Sequence, residues 1–168
     1  MNMQELRREL AETFERVKRD VDNEIGRHRA GLSLGLVSMG VYHGSFIGGM
    51  FFSGGTMILM NVDPLHILLE EQPDEIVLAY VYHILLHEYL HSLGFLNEGQ
   101  CRRITLEISK KVFKDMPKHP AVVLAVKGIG AFFPNLHLIY APPNYDPQKG
   151  WHIERVDGFD RDSYRYFG

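Results

Sequence analysis

The sequence predicts a single α+β domain, on three observations: an amphipathic helical repeat at the N-terminus, a charge-free stretch broken by glycines, and an apolar helix starting at Pro73. At 168 residues the chain has the length of one ordinary domain and can bury a core without disulfides. The formal net charge of −3, with near-average apolar and charged fractions, gives no sign of a disordered chain or of a nucleic-acid footprint, and no nucleic-acid partner is expected. One cysteine, Cys101, leaves no intrachain disulfide. With no basic-then-apolar leader, a reducing, cytoplasmic location is expected.

From Asn2 to about His28, the apolar residues Leu6, Leu10, Phe14, Val17, Val21 and Ile25 recur at steps of three and four among many charges, which predicts one covering helix. Between Ala30 and Val62 there is no Asp, Glu, Lys or Arg. Glycines and serines break its apolar runs too often for a membrane span, so no membrane contact is expected. Short strands are expected instead at Leu32 to Met39, Phe46 to Phe52 and Thr56 to Asn61, forming a meander or small twisted sheet. Asp63-Pro64 ends the last of them, since proline has no amide proton for a ladder.

Pro73, Asp74 and Glu75 form a helix start, with proline in the first turn and acids at the positive end of the dipole. The helix is expected to run to Leu93 and to be central, because Ile76 to Leu86 is apolar on nearly every face. Gly94 supplies the stop. A further helix is expected from about Glu98 to Asp115 on the stripe Cys101, Ile104, Ile108 and Val112, with Pro117 and Pro120 interrupting the chain beyond it. No repeat or linker divides the chain. One domain therefore covers 1–168: an N-terminal helix (1–30), a sheet with the central helix (31–94) and a largely helical remainder (95–168).

Residues 87 to 98 read His-Glu-Tyr-Leu-His-Ser-Leu-Gly-Phe-Leu-Asn-Glu. Residues four apart on a helix share a face, so His87 and His91 can aim two imidazole nitrogens at one metal ion. Glu88 projects about a third of a turn away, where its carboxylate can take a proton from a metal-bound water. This is the division of labour in His-Glu-x-x-His hydrolases. On this chain's own residue frequencies the pentapeptide arises by chance in roughly three chains per hundred, and with Gly94 in about three per thousand.

His87 to Gly94 resembles the active-site helix of the zincin clan of metallopeptidases. The match with metzincins such as the astacins, His-Glu-x-x-His-x-x-Gly-x-x-His, holds through Gly94 and Phe95 and then departs, because the third histidine's position is Asn97. Asn97-Glu98 is similar to the Asn-Glu pair of the thermolysin-like gluzincins, with a shorter connector. The resemblance implies a zincin-like α+β fold, a bound Zn2+, a peptide substrate, and hydrolysis by a metal-activated water with Glu88 as general base.

For the third ligand, helix geometry favours Glu98, about 60° from the centre of the buried stripe, over Glu107 at about 120°. Glu98 also suits a first-turn acid on the dipole behind an Asn97 cap. His119 is an alternative ligand, and Asn97 a weaker one. His83, a turn before His87, cannot join a straight row of three ligands around a tetrahedral ion and is expected beside the site or in the core. Tyr140 or Tyr145 could donate to an oxyanion, and Met116 could lie beneath the metal. The mechanism places an extended substrate along Thr56 to Asn61. Two other readings remain: a non-catalytic metal-binding or interaction protein that keeps the fold, and a latent protease with Trp151 to Gly168 across its cleft.

Overall fold

In the computed structural model, which describes residues 1–41, 45–134 and 151–160, the chain has the expected α+β architecture. The first helix, α1 (Met3–Ile25), starts where the Asn2 side chain accepts the Glu5 amide and ends at Gly26, whose φ of 65° only glycine adopts without penalty. Leu6, Leu10, Phe14, Val17 and Val21 form its buried stripe. Phe14 is fixed on two sides, edge-on to Tyr89 at 5.4 Å and stacked on Phe159 at 4.1 Å between ring centroids. Phe14→Ala is therefore expected to destabilise the domain by about 3–5 kcal/mol. A lowered urea midpoint at an unchanged m-value would show it.

Four strands come next: β1 (Ser33–Val37), β2 (Gly49–Phe51), β3 (Met57–Asn61) and, near the C-terminus, β4 (Glu154–Arg155). Their order is β2-β3-β1-β4, with β1 and β3 parallel and the outer pairs antiparallel. This is not a meander, because β3 lies between the two strands that precede it. Ile58 and Met60 face the main core, while Leu59 faces a second cluster with Val37 and Met39, so the middle strand is buried on both sides.

Asn61 links the sheet to the next helix. Its Oδ1 accepts the amides of Met39 and Asp63, and its Nδ2 donates to the carbonyls of Gly40 and Ile47. It is thereby the N-cap of α2 (Val62–Glu71), a helix that the sequence pattern does not announce. The strand ends at Asn61 itself, and Asp63 and Pro64 lie in the helix's first turn, where proline loses no hydrogen bond. His119 and Pro120 likewise open α5 (Pro120–Lys127), in place of the expected interruption.

The central helix, α3 (Asp74–Ser92), is buried along nearly its whole length, and α1, α2, the sheet and α5 all pack on it. Helix α4 (Glu98–Val112), capped by Asn97, also packs on α3 and stops one turn short of the expected Asp115. Residues 151–160 lie along the β1 edge and α1: the Val156 amide donates to Leu34, Phe159 stacks on Phe14, and the buried Asp160 accepts from Lys18 at 2.8 Å and from the Leu32 amide. None of these residues lines the cleft at the end of α3; 161–168 lie outside the described residues. Among the described residues no helix is long and apolar enough to cross a membrane.

Candidate metal centre

The site forms where α3 ends. The Gly94 amide donates to His91 and the Phe95 amide to Leu90, two bonds that close the helix only if the intervening residue is left-handed, and Gly94 has φ of 106°. This turn brings the Phe95 carbonyl back over the last helical turn, where it lies 2.7 Å from Nδ1 of His91. Asn97 then caps α4 by accepting the Gln100 amide at 2.8 Å, which sets Glu98 at the first helical position. The glycine stop and the asparagine cap together aim Glu98 back at α3.

Nε2 of His87 lies 2.5 Å and Nε2 of His91 3.0 Å from the same oxygen, Oε1 of Glu98. Burial makes His87 harder to protonate, an effect to which His91 and Arg102 add and which Glu98 opposes. Burial raises Glu98 as well, but His87 and His91 together outweigh it and hold the carboxyl below its ordinary value. The pairing of His91 Nδ1 with the Phe95 carbonyl fixes the ring so that Nε2 faces the Glu98 carboxyl. An imidazole nitrogen and a carboxylate oxygen 3.0 Å apart attract only with a proton or a cation between them. The donor set thus fits a divalent ion held by two imidazoles and one carboxylate.

Glu88, next along the helix, is only 5 % exposed, and its Oε2 has no hydrogen-bond partner among the described residues. Burial pushes its carboxyl up to about 7, with His91 pulling it down and Glu98 pushing it further up. The site opens into a cleft of about 690 Å³. One wall is residues 46–51, including β2, and the facing wall is α4 with the end of α5.

Two glycines shape the first wall. A Cβ on Gly49 would come within 2.8 Å of Ile84 and 3.1 Å of Glu88, and one on Gly48 within 2.5 Å of Ile84, so these glycines let β2 approach α3. Glycine inside a strand signals such an approach, although in the sequence alone it reads equally as turn punctuation. The expected substrate edge, Thr56–Asn61, is corrected: β3 is paired on both sides, and the edge strand beside the cleft is β2.

The remaining sequence candidates divide between the cleft and the rest of the fold. His83 lines the cleft at 8 % exposure, its Nδ1 without a partner among the described residues, and burial, with His87 adding, pushes it down to about 4. His119 accepts the Ala121 amide as the α5 cap and stacks on Phe113 at 3.8 Å, away from the cleft lining. The Asn97 side chain is used as a cap, and neither Glu107 nor the exposed Met116 lines the cleft. Tyr140 and Tyr145 lie outside the described residues.

Cys101 is an addition. The sequence places it only in the α4 stripe, yet it offers a ligand atom that lies, with one each from His87 and His91, in a set within 4.8 Å of one another. Its Sγ donates to the His87 carbonyl at 3.3 Å, and burial, with Glu88 and Glu98, pushes the thiol up to about 12. Glu98 Oε1 lies within 3.0 Å of Nε2 of both imidazoles. No family model, curated protein or solved structure matches this chain.

Proposed function

We propose that this chain is a metal-dependent hydrolase. More particularly, it is read as a small zinc metallopeptidase of zincin type. The observation that carries the reading is the meeting of His87 Nε2, His91 Nε2 and Glu98 Oε1 in an open cleft, beside the Glu88 carboxylate, whose Oε2 has no hydrogen-bond partner among the described residues.

His87, His91 and Glu98 would hold the ion, with the Phe95 carbonyl fixing the ring of His91. When bound there, zinc supplies Lewis acidity towards water and a peptide carbonyl. Glu88 accepts the proton of the attacking water on its carboxylate and returns it to the leaving amide nitrogen. Burial holds this carboxyl above the ordinary carboxylate range, which favours its taking up a proton. Among the described residues β2 is an edge strand, to which an extended peptide could add, and Ile47, Met50, Val126 and Ile129 give the cleft apolar walls for its side chains.

Cys101 favours a second reading. With a thiolate added, His87, His91, Glu98 and Cys101 would make four protein ligands, the closed set of a structural rather than a catalytic site. The zinc-loaded chain, incubated with a mixed peptide library, is expected to release products detectable by mass spectrometry. Chelation should stop cleavage and added zinc restore it. A zinc-loaded chain that leaves the library intact would favour the closed, non-catalytic site.

A further inference from the structure

The two walls of the cleft differ in charge. Residues 46–51 on the β2 side carry none, whereas the α4–α5 side presents Arg102 and Lys127. Arg102 stands four residues after Glu98 on α4, the spacing at which a carboxylate ordinarily neutralises a guanidinium. Here Glu98 is committed to His87 and His91 instead. Arg102 is exposed to the cleft and has no hydrogen bond or ion pair among the described residues. Lys127 sits in the last turn of α5, where its charge also complements the helix dipole.

Resting on the peptidase reading, we propose that Arg102 is a specificity residue that receives a substrate carboxylate, from an Asp or Glu side chain or a free C-terminus. The planar guanidinium matches a carboxylate with two parallel hydrogen bonds, which a lysine cannot reproduce. Cβ atoms four apart on a helix are about 5–6 Å from one another, and an extended residue spans about 3.3–3.6 Å. The recognised carboxylate therefore belongs close in sequence to the bond presented at Glu98.

The test separates binding from turnover. Zinc-loaded Glu88→Gln protein is titrated with three N-acetylated fluorescent peptides sharing an apolar core: one amidated with an internal Asp, one with uncharged side chains and a free C-terminal acid, and one with uncharged side chains and an amidated C-terminus. At least one acidic peptide is expected to bind about tenfold or more tightly than the neutral amide, and which one identifies the source of the carboxylate. The advantage should shrink with added salt. It should vanish when Arg102→Gln is added and persist when Arg103→Gln, a neighbour outside the cleft lining, is added instead, with zinc content confirming that each variant folds.

Equal binding of all three peptides, or an acidic advantage that survives Arg102→Gln, overturns the proposal. Cleavage of the same peptides by the wild-type chain is read separately. Arg102-dependent binding without any cleavage would sink the peptidase reading while leaving the carboxylate site standing. Cleavage with no acidic preference in binding would do the reverse.

Discussion

Glu88→Gln is expected to lower turnover by about 10²–10⁴-fold while leaving zinc content unchanged. Glutamine keeps the shape of the side chain but cannot accept a proton. The ligand atoms of His87, His91 and Glu98 are untouched by the change, so the ion should stay. Glu88 is a carboxyl almost entirely inside the protein, with one oxygen lacking a partner among the described residues, an arrangement that ordinarily costs about 1–3 kcal/mol. Removing its charge should leave the urea midpoint unchanged or slightly raised, the pattern expected where activity requires a locally unfavourable group. Turnover that survives the substitution would remove Glu88 from the mechanism. A fall in zinc content alongside turnover would make Glu88 a contributor to the metal site instead.

The same tension runs along the face of α3. His83 and Glu88 line the cleft, and each has a buried polar atom without a partner among the described residues; Tyr80 has another, just beneath Gly48. Buried polar groups of the sheet and its C-terminal edge are satisfied, as Asn61 shows with its four bonds and Asp160 with Lys18 and the Leu32 amide, whereas Glu15 on α1 and Ser109 on α4 each have an atom without a hydrogen bond among the described residues. His83 and Glu88 are the two of these that open on the cleft, where a polar ligand or substrate would restore the missing bonds.

How much of this is legible in the sequence depends on how local the signal is. Leu6 to Val21 announce α1 by period alone, and the all-round apolarity of Ile76 to Leu86 places α3 at the centre. Gly94 and Asn97 mark a stop and a cap, so the direction in which Glu98 points can be worked out from helix geometry. Helix α2 is hidden because Asn61 and Pro64 serve equally to end a strand and to begin a helix. The strand order is hidden for a different reason: β1 pairs with β3 across more than twenty residues, and nothing in either segment specifies a partner. The expected cleft edge consequently falls on β3 instead of β2. Cys101 is hidden by chemistry, since a buried thiol reads as a small apolar residue until a neighbouring helix brings two imidazoles towards it.

The metal content of three variants decides between the open and the closed site. The parent is expected to hold about one zinc per chain, and Glu98→Gln to weaken zinc by more than about 100-fold, beyond the 10–100-fold typical of losing a partner outside the ligand set. The reason is charge as much as geometry. Glu98 is the one ionised oxygen already drawn to both imidazoles, and an uncharged amide in its place is a poor ligand for zinc. His119→Ala should hold zinc like the parent, since that ring is occupied with capping α5 and stacking on Phe113. Cys101→Ser is the discriminating change. An open catalytic site holds zinc without the thiol, so the serine variant should retain both the ion and peptide cleavage. If zinc is lost from Cys101→Ser as fully as from Glu98→Gln, the thiolate is a ligand, the set is closed by four protein groups, and the chain is a metal-stabilised protein in which Glu88 has no bond to break.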